Sequence, residues 1–544
     1  MDVQPTPPLA GERYRYLARH LPLLTLASVA GFIGMMLSMV RFAEQSRWTV
    51  PFLVPIVFIA ASFGAALLSS CFSRGFDRTT HERLVANWKP TRYPTVDIFL
   101  PTCGEDLALL ANTAKHVAGL RYPGEVVVYS LDDSARREVA ELAGQHGFVY
   151  LSRPNRGWFK KAGNLRYGFE RSAGEFVVVF DADFSPDPDF LIHLLPYFED
   201  HDDLGIVQSP QYFRVQSRMN WIERGAGAVQ EFFYRVSLTG RQSRNAAICV
   251  GTNAIYRRAA LESNGGSTLI EHSEDVHTGF DLFRNGWRLK YVPVVLAVGI
   301  CPSTLAAFFS QQYRWCLGSV SLLTSSKFWR TKLPFRSRLC YLSGFGYYMQ
   351  TAMMSVVGPL VPLTMIYAVP QNVRLVNYLL LIPGTIYAFV VFPLWHRCRY
   401  SFETWAIRMA YGWAHLFAIL DKLRGRQMSW APTMGRRTNA NKTRFRDFKL
   451  SLAIWGGGTA TLWVGGALWQ LATSGKPLTW VPIAAGGLFY AATVARVLFG
   501  AREQLGLERN LVRRVDDPPR AHALAAGGTR AAVPAAITQQ ALVD

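Results

Sequence analysis

The stretch FVVVFDADF, residues 176–184, decides the reading of this chain. Five apolar residues, Phe176 to Phe180, follow Gly174 and read as a buried strand of a parallel sheet. The strand runs directly into Asp181-Ala182-Asp183. Residues at i and i+2 of an extended segment point to the same side, so both carboxylates can face one point. Like charges held that close repel and lose hydration, and a cation between them relieves both costs. A hard divalent ion such as Mg2+ or Mn2+ takes oxygen ligands and shares them with substrate phosphates. The plainer alternative is a polar strand-to-helix turn capped by acids, and the rest of the chain decides between the two.

At 544 residues there is room for a large soluble domain and for membrane segments. Half the residues are hydrophobic (50%) and the mean hydropathy is positive, high for a soluble enzyme. Apolar runs at about 21–40 and 49–72 are each long enough to cross roughly 30 Å of hydrocarbon. No small-residue cleavage site follows the first, which reads as an anchor. Further spans are expected at 341–368, 375–395, 450–471 and 478–499, six in all. Residues 402–420 carry Glu403, Arg408 and His415 among aromatics and read as an amphipathic helix in the membrane interface, with a span as the alternative. The Ala-rich tail 501–544 is expected to be poorly ordered.

A net charge of +20 raises the question of nucleic acid, but the placement of the charges answers it. Segment 422–449 holds nine Lys/Arg and one acid, Asp447. The opposite loops offer only Arg41, Arg47, Arg374 and Lys476 as cations. That asymmetry is the positive-inside pattern, and it puts both termini and the soluble domain on the cytosolic side of the inner (plasma) membrane. The basic loops then face anionic lipid. The seven cysteines form no CxxC pair and no disulfide framework, so free thiols and no zinc site are expected.

From about 97 to 335, short apolar runs (97–101, 125–131, 148–151, 176–181, 206–208) alternate with helical stretches, an α/β pattern with chemistry at the strand ends. Asp132-Asp133-Ser134 follows VVVYSL, and Asp133 or Ser134 could simply cap the next helix. Lys160-Lys161-Ala162-Gly163-Asn164 opens a helix, where a lysine and the helix N-terminus both attract phosphate. Ser273-Glu274-Asp275 starts another, with Ser273 as its expected cap. A positioned carboxylate such as Asp275 can remove a proton from a hydroxyl. In Gln311-Gln312-Tyr313-Arg314-Trp315, Arg314 can neutralise a charged leaving group and Trp315 offers a flat face.

The order Asp-Asp, Lys-Ala-Gly-Asn, Asp-Ala-Asp, Ser-Glu-Asp, Gln-x-x-Arg-Trp resembles the cellulose synthase-like branch of the family-2 glycosyltransferases, with IVQSPQYF (206–213) and GTNAIYRRAAL (251–261) as further matches. The resemblance covers about 20–500. It implies a GT-A-type α/β glycosyltransferase domain inserted between transmembrane α-helices. Expected divisions are 1–88 with two transmembrane helices, 89–335 catalytic, 336–400 with two more, 401–449 interfacial helix and basic loop, 450–500 with the last two, and 501–544 tail. By the same resemblance the nucleotide and diphosphate would meet Thr102, Glu105, Asp132, Asp133, Lys161, Asp181, Gln311 and Arg314. Asp181 and Asp183 would hold Mg2+ or Mn2+, and Asp275 would be the catalytic base. Glu274 and Trp315 would bind the acceptor. Trp430 and Thr433, in WAPTMG (430–435), would belong to a gating-like loop.

Several positions depart from that family pattern. Ser273 replaces a threonine, Cys103 stands where an aromatic is usual, and Met434 precedes Gly435, leaving Arg436 as the nearby cation. No Arg-x-x-x-Arg with a following β region is seen, so no cyclic-dinucleotide domain is expected. The expected activity is processive, inverting polymerisation of a β-linked glucan from UDP-glucose with export through the protein's own channel. The alternatives are a UDP-N-acetylglucosamine polymerase or transfer of a single sugar to a lipid carrier. A transporter or structural subunit with an inactive domain is the remaining class. Implied partners are the UDP-sugar, the growing polysaccharide and the bilayer, with room for accessory export subunits and a homo-oligomer, and no nucleic acid.

Overall fold

A computed structural model describes residues 4–17, 20–70, 75–199, 201–426, 428 and 439–516. One compact unit runs to Phe499 and a second begins at Gly500. At the centre of the first is a seven-stranded sheet in the order β3-β2-β1-β4-β8-β6-β9. The strands are β1 (Val96–Thr102), β2 (Val126–Asp132), β3 (Val149–Leu151), β4 (Phe176–Val179), β6 (Leu204–Gln208), β8 (Ala254–Arg257) and β9 (Arg288–Tyr291). All neighbours are parallel except β8, which runs antiparallel to both β4 and β6. A small second sheet joins β5 (Phe184–Pro186), β10 (Ala297–Gly299) and β7 (Tyr212–Phe213).

The continuous apolar runs follow from burial on both faces of the sheet. Along β1 and β4 the side chains alternate between two cores. Phe99, Val177 and Val179 enter the core containing Tyr256, Phe308 and Phe309. Ile98, Val178 and Phe180 enter the opposite core with Phe190, Leu191 and Phe198. The sheet is therefore covered on both sides, and functional groups gather at its C-terminal edge.

Among the described residues, five helices are long and apolar enough to cross a membrane: Leu21–Ala43, Val50–Ser70, Phe335–Tyr367, Leu375–Trp395 and Pro477–Gly500. The expected run 450–471 is helical but is not among these five. A π turn at Leu452–Gly457 separates the Asn439–Ser451 helix from Gly458–Thr473, which is 16 residues long. The last helix, Pro477–Asp516, continues past the expected end of its span into the tail, whose remainder from 517 lies outside the described residues.

Segment 402–420 forms the Phe402–Leu423 helix, and it is not a two-faced surface helix. Ala406, Ala410, Trp413, Ala414, His415 and Ala418 are all buried, on several sides at once. The helix packs against Trp221–Phe232, Leu305–Leu323 and Phe335–Val357. Its small residues permit this close approach, as does Gly225, where an added Cβ would strike Ile407 and the Glu403 carbonyl.

The N-terminal residues expected only to precede an anchor instead pack on the small sheet. Glu12 accepts from the Arg214 guanidinium (2.6 and 2.9 Å) and from Tyr212 Oη (3.0 Å). Arg13 pairs with Asp187 at 2.9 Å, and its carbonyl accepts from Val295 N. Tyr16, 2% exposed, meets Tyr212 edge-on at 5.2 Å and stacks on Tyr234 at 6.2 Å. Tyr16→Ala removes a buried ring that nothing nearby can replace, so it is expected to destabilise the fold by roughly 3–5 kcal/mol. A thermal melt in detergent that matches the unaltered protein would show the segment to be dispensable.

Candidate active site

Strand ends and helix starts converge on a cavity of about 190 Å³ at the C-terminal edge of the sheet. Thr102 and Glu105 come from the end of β1, and Asp133 follows β2. Lys161 comes from the Lys160–Phe169 helix, and Asp181 and Asp183 follow β4. Glu274 and Asp275 open the Glu274–Arg284 helix. Gln311, Arg314 and Trp315 line the cavity from the Leu305–Leu323 helix. Residues separated by more than 200 positions thus share one space. Trp430 and Thr433 lie outside the described residues.

Asp132 does not join them. Its side chain is fully buried, and it accepts from the backbone N–H groups of Ser134 and Arg136, each at 2.8 Å, and from Tyr150 Oη at 3.1 Å. It closes the turn after β2 through these bonds and does not line the cavity. Neither Asp133 nor Ser134 caps the helix that follows, which begins at Arg137 and has no side-chain cap. Asp133 instead holds Arg153, which donates Nε–H at 2.6 Å and Nη2–H at 2.7 Å. Gly157 N adds a third bond at 3.1 Å.

Arg153 was invisible in the sequence reading, yet its side chain is 0% exposed. It also donates to the carbonyls of Trp158 (2.6 Å) and Lys160 (3.0 Å), shaping the whole 153–160 loop. A buried guanidinium needs such pairing, but nothing in RPNRG says which acid provides it.

The carboxylates are crowded. Lys161 Nζ bonds Asp181 Oδ1, lies 3.6 Å from Glu274 and donates to the Gly251 carbonyl at 2.9 Å. Burial alone would lower the Lys161 ammonium, but Asp181 and Glu274 outweigh it and hold it above its ordinary value. Asp183 has no such partner, and burial followed by Asp181 pushes it up to about 7. Burial and then Glu274 raise Asp275 to about 7 as well, against the pull of Lys161 and the Val276 N–H. Burial lowers Arg314 to about 10, opposed by Glu274, Asp181 and Asp183, so it stays a cation at neutral pH. Cys103 is pushed up to about 11 by burial and Glu105, and its thiol stays protonated.

Asp181 and Asp183 together provide carboxylate oxygens, only Asp181 being paired with Lys161, and this suits a divalent cation shared with phosphate. Among the described residues no group of three or more His, Cys, Asp or Glu forms a protein-only cage. Two further observations point to a polar ligand. Thr102 Oγ1 and Gln311 Oε1 are buried yet lack hydrogen-bond partners among the described residues, although both residues line the cavity.

The backbone is strained around the cavity. Gly251 has φ +76°, and a Cβ there would sit 2.7 Å from Asp275 Oδ2, so only glycine fits. Ser273 does not cap its helix as expected. It adopts φ 54° with no side-chain cap, and its Oγ points to the Arg314 carbonyl at 3.5 Å. An added Cβ at Gly318 would collide with this side chain, so Ser273 locks the acidic turn onto the Gln-x-x-Arg-Trp helix.

A mixed sheet thus gathers acids and a guanidinium around one cavity at its C-terminal edge. Residues 176–395 match the family model described as Glycosyl transferase family group 2. Over 259 residues the chain is 32% identical to Cellulose synthase 1 of Komagataeibacter xylinus, covering 47% of this chain and 17% of that one. It is 28% identical over 305 residues to the UDP-forming Cellulose synthase 1 catalytic subunit of the same organism, covering 55% and 41%. A UDP-forming catalytic subunit from Xanthomonas axonopodis pv. citri is 30% identical over 256 residues, covering 46% and 35%. The chain thus spans less than half the length of these curated relatives. Among solved structures, a mannosyltransferase of Pyrobaculum calidifontis in complex with GDP-Man and Mn2+ aligns with TM-score 0.46 and 19% identity, covering 69% of this chain and 99% of that one.

The raised Asp275 makes a signed prediction. A carboxyl with folded pKa about 7 and ordinary value 3.8 destabilises the fold when both states are ionised, and contributes nothing when both are protonated. Asp275→Asn should therefore be more stable than the unaltered protein above pH 7, by roughly 2–4 kcal/mol, with the advantage fading as pH falls toward 4. Equal melting at pH 8 would contradict the buried, crowded carboxylate.

Proposed function

We propose that the chain is a processive, inverting glycosyltransferase that polymerises a β-linked glucan from UDP-glucose and exports it through its own helices. The observation that carries this reading is one helix, Leu305–Leu323. It presents Gln311, Arg314 and Trp315 to the cavity while packing along Phe335–Val357 and Phe402–Leu423. In the proposed organisation, 89–335 is the catalytic domain and the preceding and following helices form the membrane part. The basic 422–449 segment supports a cytosolic side for the cavity.

The residues divide the work. Asp181 and Asp183 would hold Mg2+ or Mn2+, which when bound offsets the negative charge of the diphosphate. Thr102 Oγ1 and Gln311 Oε1 supply unpaired polar atoms to the bound donor. Asp275 accepts the proton of an acceptor hydroxyl as its oxygen bonds to the anomeric carbon. The bond from that carbon to the UDP oxygen breaks on the opposite face, so the configuration inverts. Arg314 stabilises the UDP charge as it develops. Trp315 offers its face to the terminal acceptor sugar, beside Glu274.

Beyond Trp315, polar and aromatic groups are buried between the same helices. His415 shares a 2.7 Å hydrogen bond with Thr351 Oγ1, and its Nε2 has no partner. Tyr348 meets the His415 ring edge-on at 4.8 Å, and Tyr411 stacks on it at 5.2 Å. A glucan cannot cross hydrocarbon unless its hydroxyls find partners, and such a column supports the export reading.

Purified protein given UDP-glucose and Mn2+ or Mg2+ should release UDP and make a polymer that β-glucanases digest. Its kcat/KM should rise with pH through about 7, as a base of that pKa requires. Chelation should stop turnover, and Asp275→Asn should abolish it while UDP still binds. A lipid-linked monosaccharide as sole product, or full turnover in Asp275→Asn, would overturn the proposal.

A further inference from the structure

We propose that Lys160, the residue before the motif lysine, makes a direct contact with the donor's diphosphate; this rests on the nucleotide-sugar reading of the cavity. Lys160 lines the cavity with Lys161 and Arg314. The two lysines are not equivalent. Lys161 is held by Asp181, Glu274 and the Gly251 carbonyl. Among the described residues no ion pair engages Lys160. Its Nζ folds back over Gly157, 3.8 Å from where a Cβ would lie.

The backbone places this side chain at a cost. Phe159 and Lys160 adopt φ 46° and 48°, two successive non-glycine residues in the left-handed region. Each such residue is strained, and Arg153 enforces the turn through the Trp158 and Lys160 carbonyls. Strain held in place by a buried ion pair, at a residue lining the cavity, is a sign of function rather than of packing.

A second observation comes from His272, next to the acidic turn. It is 5% exposed, and its ring lies beside the Met428 backbone. Burial lowers its pKa to about 4, and the charges of Arg314 and then Lys160 press it further down; the Met428 backbone favours the protonated ring but does not offset them. Lys160 and Arg314 thus both act on one buried imidazole beside the acidic turn. An anion with several oxygens would meet both cations at once.

The test is equilibrium binding of UDP and of uridine, each with Mn2+, to full-length protein in detergent. Lys160→Gln should weaken UDP about tenfold, the scale of one lost charge-assisted contact, and leave uridine within about twofold. Lys160→Arg should stay within about threefold for UDP. Lys160→Met, which keeps the aliphatic stem, should match Lys160→Gln if charge is what matters. UDP binding to Lys160→Gln at unaltered strength, or equal losses for UDP and uridine, would overturn the contact while leaving the nucleotide-sugar reading intact. Failure of the unaltered protein to bind UDP at all would overturn both.

Discussion

The mutual repulsion of buried carboxylates organises this molecule. Glu105, Asp181, Asp183, Glu274 and Asp275 share one cavity with Lys160, Lys161 and Arg314 as its cations. Lys161 bridges Asp181 and Glu274, which leaves Asp183 and Asp275 as the two acids driven up toward neutrality. Such an arrangement is unfavourable for folding alone and favourable for chemistry. Both acids are driven to where a proton is exchanged near neutral pH.

Holding those groups together takes rigid support, and it comes from outside the motifs. The Asp133–Arg153 pair fixes the loop that presents Lys160 and Lys161. The N-terminal segment bonds to the strand that follows Asp183, since the Pro5 carbonyl accepts from Ser185 Oγ at 3.0 Å and from Asn112 Nδ2 at 2.9 Å. Asn112 lies beside Thr113, whose hydroxyl holds the carbonyl of Ala182 between the two aspartates at 2.7 Å. These bonds let Phe159, Lys160, Asn253 and Ser273 keep left-handed backbone angles around the cavity.

The Leu305–Leu323 helix ties this cavity to the membrane helices. Within the helix, Tyr313 donates to Asp421 Oδ2 at 3.0 Å, and Arg444 Nε–H donates to the same oxygen at 2.9 Å. Asp421 ends the Phe402–Leu423 helix, and Arg444 belongs to Asn439–Ser451. The helix bearing Arg314 is therefore bonded to both elements that flank the basic loop, and its position depends on the packing of the helices below it.

Local sequence determined a good deal by itself. Apolar runs buried on both faces marked β1, β2 and β4, and hydrophobic length marked five of the six expected spans as helices long and apolar enough to cross a membrane, because both signals reside in consecutive residues. The order of acidic, lysine and Arg-Trp motifs pointed to residues that do meet in one cavity. Tertiary structure alone decided the rest. The reversal of β8 depends on its neighbours β4 and β6, not on AIYR itself. Which of two adjacent aspartates faces the cavity is set by alternation along β2 and by where Arg153 returns, 20 positions later. A helix expected to expose one face was enclosed because three other helices arrived around it. In each case the deciding partner is remote in the chain, and no local pattern encodes a contact made only when the chain has folded.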